Sequence, residues 1–158
     1  MAEEYVYALK DSLEKKLGVL EEIYRISSLQ KDLLDADDLD YETFDRYFED
    51  KDICLDKLNL LDAGFELTYN RVKEELSVNK AKYADIISQM QTLIGKITDK
   101  STAIEALEAR NKDKVAERFV KERRQAKEGK RSVNVAMNYY RNMSGTNGDY
   151  STGVDFKK

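Results

Sequence analysis

Apolar residues along this chain recur at intervals of three and four, not two. Val6, Leu9, Leu13, Leu17, Leu20 and Tyr24 make the stripe of an amphipathic helix. A second track (Ile23, Ile26, Leu29, Leu33) takes over near its end, so this helix is expected to touch two neighbours. Asp35, Asp37, Asp38 and Asp40 then crowd together. Aspartate is unfavourable at a helix C-terminus and favourable at an N-terminus, which ends the first helix here. Asp38 or Asp40 is the expected N-cap of the next, with Glu42 in its first turn.

The following stretch carries a long heptad seam. Phe44, Phe48, Leu55, Leu58, Phe65, Tyr69, Val72 and Leu76 share it, broken by Lys51 and Asp62. The register continues through Tyr83, Ile86, Met90, Leu93, Ile97, Ile104 and Leu107, broken by Asn79 and Lys100. A single helix along this seam would be about 100 Å long and wet on its apolar side unless it dimerised. Ser77, Val78, Asn79 and Lys80 gather weaker helix formers, and a break there predicts a helical hairpin. The expected fold is all-α: an antiparallel bundle of three long helices over about 4–34, 39–76 and 80–128. At about 46, 57 and 73 Å, the third overhangs the others. Gly18, Gly64 and Gly95 lie inside these helices, each at a cost of about 1 kcal/mol.

After Gly129 the pattern changes. Val133, Met137 and Tyr140 repeat at i, i+4, i+7, flanked by Ala136 and Met143, and Ser132 is placed to start a short helix. Burying those side chains yields about 8–12 kcal/mol at most. Ordering the backbone costs about 1–2 kcal/mol per residue, so segment 129–143 is expected to be marginal without a surface to dock on. From Ser144 to Lys158 the Gly, Ser, Thr, Asn and Asp content reads as a flexible tail, although it holds Tyr150, Val154 and Phe156. The expected organisation is therefore a bundle over 1–128, a marginal segment over 129–143 and a tail over 144–158.

Composition narrows the function. There is no Pro, His or Trp in 158 residues, and only seven Gly, which excludes a turn-rich β-fold. Without histidine, most catalytic triads and zinc or haem sites are out of reach, and no enzyme, metal or cofactor is expected. Cys54 is the single thiol, ringed in sequence by Asp50, Asp52 and Asp56, and reads as packing. Asp45, Glu49 and Asp52 share a helix face that reads as solvated acid. No apolar run is long enough to span a membrane, and the acidic start is unlike a signal peptide, so a cytoplasmic location is expected.

Charge is uneven: residues 1–76 carry 21 acidic and 10 basic side chains, residues 77–158 carry 10 and 17. In a bundle where the third helix runs back along the second, Lys112, Lys114, Arg118, Lys121, Arg123 and Arg124 come beside Asp37, Asp38, Asp40, Asp45, Glu49 and Asp50. The basic run then matches acids within the fold, and nucleic acid is not an expected partner, since only Phe119 offers a stacking platform among the basic residues. What a three-helix bundle leaves uncovered is Val115 and Phe119 on the overhang, then Val133, Met137 and Tyr140. Such spacing suits homodimerisation, docking back on the bundle, or capture of a partner helix. On the last of these, Phe119→Asp and Tyr140→Ala weaken partner binding and spare the thermal midpoint.

Several stretches carry a resemblance. An acidic first hairpin runs through Lys31-Asp32-Leu33-Leu34, Asp38-Leu39-Asp40 and Glu49-Asp50-Lys51-Asp52. A long helix holds Ala106-Leu107-Glu108-Ala109-Arg110-Asn111, followed by Ala136-Met137-Asn138-Tyr139-Tyr140 and a tail closing on Asp155-Phe156-Lys157-Lys158. In this order of segments the chain resembles the FlgN-type flagellar export chaperones over nearly its whole length. The resemblance implies a cytoplasmic chaperone that binds hook–filament junction proteins and delivers them to the membrane-embedded export gate, its only contact with membrane machinery. It places the cargo surface on the C-terminal helix, about 104–128 with Ile104 and Leu107, and on the segment to 143. A tyrosine that contacts the export gate would be Tyr139, Tyr140 or Tyr150. The alternative reading is a homodimeric structural coiled coil built on the long seam, and the oligomeric state is left open.

Overall fold

The structure, a computed structural model, describes the backbone of residues 2–122 and 126–145 and the side chains of 2–120 and 131–143. The chain is all-α over these residues, with four helices packed on one another: α1 (Ala2–Asp35), α2 (Tyr41–Val78), α3 (Ala84–Glu122) and α4 (Ala126–Gly145). Of the two aspartates expected to cap α2, Asp40 does so. Its Oδ1 accepts the Thr43 N–H at 3.1 Å and its Oδ2 the Thr43 hydroxyl at 2.8 Å. These bonds hold the Asp40 carboxyl below the usual carboxylate range.

The seam breaks where the weak helix formers lie. Asn79 ends α2 by donating its N–H to the Glu75 carbonyl at 3.0 Å, and its own carbonyl accepts from Tyr83 N–H at 3.2 Å. Neither Pro nor Gly makes this turn. Burial fixes it instead, because Leu76, Tyr83 and Ile86 are enclosed while Val78 is left 81% exposed between them. The Tyr83 hydroxyl donates to the Glu75 carboxylate across the turn at 3.4 Å.

Side-chain contacts give the sense of each helix. Tyr5 meets Arg71, Lys16 meets Asp62 and Gln30 meets Phe44, so α1 and α2 run in opposite directions. Glu3 meets Lys82 and Asn111 meets Ser27, so α3 runs with α1. Helix α1 packs along both α2 and α3, and the apolar seam closes inside one chain.

Two expectations are corrected here. Helix α3 does not overhang: it ends at Glu122, and its last turns lie level with the start of α2 and the end of α1. The Phe119 ring stacks on Tyr41 at 6.2 Å, and the Arg118 guanidinium donates to the carbonyls of Leu34 at 3.0 Å, Ala36 at 2.6 Å and Asp37. A cation on the free carbonyls of α1 replaces the last-turn lysine or arginine that α1 lacks. Segment 129–143 belongs to a fourth helix of 20 residues that lies beside α2, running in the same direction, and also touches α3. The bundle has four helices at this end and three at the other. The expected tail lies, beyond Gly145, outside the described residues.

Candidate functional site

Helix α4 is the one element that covers only part of the bundle, and its seat is unlike the rest of the core. Its inward face presents Ser132, Ala136, Tyr139 and Tyr140, all buried, with Val133, Val135 and Met143 half-buried beside them. Beneath lies Phe48, whose ring is 5.1 Å from that of Tyr139 and 5.8 Å from that of Tyr140.

The centre of the seat is charged. Lys51 is 0% exposed and Glu108 1%. The Lys51 ammonium donates to both Glu108 oxygens at 3.0 Å and to the Ser27 hydroxyl at 3.2 Å. It also lies 4.1 Å from the centre of the Tyr139 ring and 4.9 Å from that of Phe48. The Tyr139 hydroxyl donates a short hydrogen bond to Glu108. One side chain from each helix thus meets in a single layer: Ser27, Lys51, Glu108 and Tyr139. Burial pushes the Lys51 pKa down, and the Glu108 charge opposes that shift. Asn111 reinforces the layer by donating to the Ser27 carbonyl at 2.9 Å, and Gln30 donates to the Phe44 carbonyl at 3.2 Å.

Around this layer, polar groups are less well served. Asp45, expected on a solvated acidic face, is buried and accepts from the Ser132 hydroxyl at 3.1 Å. Asp52, half-buried, accepts from Asn142. Glu49 is exposed as expected. Desolvation raises both the Asp45 and Asp52 carboxyls above their usual range. The buried Tyr140 hydroxyl has no hydrogen-bond partner, and neither does Asp45 Oδ1, among the described residues. Burial and the Glu108 charge push Tyr140 ionisation far up, while the Lys112 ammonium lies 5.8 Å from its ring centre.

The residues expected to bind a partner are now placed. Ile104 and Tyr139 are fully buried, and Val115 and Tyr140 nearly so. Leu107, Phe119 and Val133 are half-buried, and Met137 is 55% exposed. Tyr150 lies outside the described residues. The structure brings Tyr139 and Tyr140 together over Phe48, and holds Phe119 apart from them against Tyr41. Tyr140 therefore contributes to folding as well, so its truncation does not spare the thermal midpoint. The basic run is distributed differently from the expected match to carboxylates. Arg110 pairs with Asp35 at 3.1 Å, Arg118 takes backbone carbonyls and Lys114 lies 3.9 Å from Glu117; the side chains of Lys121, Arg123 and Arg124 lie outside the described residues.

Sequence reasoning missed Ser27, Glu108 and Asn111, and the buried Lys16 that pairs with Asp62 at 2.7 Å. The signal was present as interruptions. Lys51 and Asp62 break the α2 seam, and each is answered by an opposite charge from another helix. Elsewhere, an open groove of about 500 Å³ between α1 and α2 is lined by Val19, Cys54, Leu60 and Leu61, with Lys15, Glu22 and Lys57 at its rim. Burial raises the Cys54 thiol. Among the described residues, no three acidic or thiol groups are arranged to hold a metal ion, and no helix is long and apolar enough to cross a membrane. Compared with protein-family models, curated proteins and solved structures, the chain finds no match.

Breaking one half of the buried pair strands the other charge. Lys51→Met is expected to destabilise the protein by about 3–5 kcal/mol in urea unfolding, whereas Lys51→Met with Glu108→Leu should recover most of that loss. The carboxyls under α4 give a pH signature of the opposite sense to ordinary acid denaturation. Because their folded pKa values lie above the unfolded ones, the native state binds more protons in the interval between the two. Thermal stability should therefore rise as pH falls from neutrality through the raised Asp45 and Asp52 range, and then drop as Asp35, Asp40 and Glu22, all lowered by hydrogen bonds, are protonated. Asp45→Asn with Asp52→Asn should abolish the rise and leave the drop.

Proposed function

We propose that this protein is a cytoplasmic export chaperone, without enzymatic activity, that binds flagellar hook–filament junction proteins through α4 and the end of α3 and carries them to the export gate. The support from sequence is the resemblance to FlgN-type chaperones in the order of its segments. The support from geometry is α4 itself. Its seat couples a few apolar contacts to polar groups that are buried at a cost, and among the described residues the Tyr140 hydroxyl, Asp45 Oδ1 and Asp52 Oδ1 find no partner. Helices held in this way open locally at lower free energy than the core they cover. An amphipathic helix from a partner meets two footholds there: exposed Met137 at once, and Phe48, Tyr139 and Tyr140 when α4 shifts. Met and Tyr suit such adaptable surfaces. Ordering of partner and α4 together weakens binding per unit of buried area, which favours release at the gate.

The reading is tested by calorimetric titration with purified C-terminal segments of hook–filament junction proteins. Saturable binding is expected, and Met137→Glu should weaken it at least about tenfold without moving the thermal midpoint. Failure of every such segment to bind the full chain overturns the proposal.

A further inference from the structure

Helix α2 carries a second apolar track, on the side opposite the seam it gives to the core. Ile53, Leu60 and Leu67 recur at seven-residue spacing and are 56%, 75% and 69% exposed. Charged residues extend the track at both ends: Arg46 and Glu49 before it, Arg71 and Glu74 after it, all exposed. At 100° per residue these positions stay within an arc of about 80° over a length of about 42 Å. Helix α4 covers the neighbouring flank, at Asp45 and Asp52, and α1 covers the far side, where α3 reaches Lys51 through Glu108. Among the described residues, the track itself is left to solvent.

Its order is self-complementary. Turned end for end about Leu60 and laid on a second copy, the track sets Leu60 on its own counterpart and Ile53 on Leu67. Glu49 then faces Arg71, and Arg46 faces Glu74. Asp56 falls against Gly64, where even an added Cβ meets nothing within 4 Å in the chain itself. Along the track itself no like charges oppose each other in this register. Pairing the same faces in parallel stacks Arg46 on Arg46 and Glu74 on Glu74. An isologous contact with apolar centre and charged ends of opposite sign is the pattern of a two-fold interface. We infer that the protein forms an antiparallel homodimer through the outer face of α2, with the two-fold axis at Leu60. This face is distinct from the Phe44–Leu107 seam that a coiled-coil rod would have used, since that seam is closed within one chain.

Sedimentation equilibrium of the full chain should give twice the 18.3 kDa chain mass at concentrations of about 100 μM. Leu60→Glu should weaken the dimer at least about tenfold with helix content unchanged, and with the thermal midpoint unchanged at dilutions where the wild type is monomeric. Arg46→Glu should weaken it as well, and adding Glu74→Arg to that variant should restore it. In a Cys54→Ser background, Leu60→Cys should form an interchain disulfide, whereas Leu67→Cys should not, because its counterpart lies about 20 Å away. A wild-type chain of single mass at the highest concentration overturns the inference. So does crosslinking of Leu67→Cys as readily as Leu60→Cys, or failure of the charge swap to restore assembly. None of these readouts involves cargo, so the dimer and the chaperone reading stand or fall separately.

Discussion

The Lys51–Glu108 pair is the constraint around which this bundle is arranged. Two opposite charges with 0% and 1% exposure have lost nearly all contact with water, and neither tolerates the absence of the other. Their remaining hydrogen-bonding capacity is met by Ser27 and Tyr139, so the pair is completed only when all four helices are in place. An apolar layer of equal volume would be no less stable. It would, however, give α4 nothing directional to register on. The short bond from Tyr139 to Glu108 supplies that register, and the ammonium under the Tyr139 ring adds a second reason for an aromatic residue at this position.

The two ends of the molecule differ accordingly. Away from α4, Met90, Ile97, Val72 and Phe65 make an apolar three-helix core, with Lys16–Asp62 and the buried Ser101 as polar exceptions. Under α4, apolar contact is mixed with Asp45, Asp52 and a Tyr140 hydroxyl that has no partner among the described residues. Burying these groups lowers the stability of this end relative to the other. Helix α4 is therefore both specifically placed and weakly held. Helix α2 serves three surfaces at once: its seam closes the core, its flank seats α4 and its outer track stays open.

Much of the fold was legible from spacing. The apolar seam, the Asp40 cap and the turn at Asn79 follow from local rules, because each depends on residues within a few positions of one another. The fourth helix did not follow. Gly129 reads as a stop, yet α4 passes through it from Ala126 to Gly145. Its isolated balance of burial against entropy was unfavourable. What tips it is contact with Phe48, Lys51 and Glu108, which lie far off in sequence. The same limit applies to the polar layer. Lys51 is visible as a break in the seam, but which acid answers it depends on the register between α2 and α3. Glu108, next to an apolar position at Leu107, looks like ordinary helix surface. Of the expected binding residues on α4, Tyr139 and Tyr140 turn into a groove where the sequence pattern suggested open solvent, Val133 is half-buried, and Met137 stays on the outer side.

The central claim, that a layer shared by four helices is what seats α4, is tested most directly by native-state hydrogen exchange in the wild type and in Glu108→Gln. This change removes the charge that Lys51 and Tyr139 share while keeping the side chain's shape. The account predicts that amides of residues 131–143 lose protection first and by the largest factor, while those around Met90 and Ile97 remain slow. Uniform loss of protection along all helices, or α4 amides as slow as before, would contradict it.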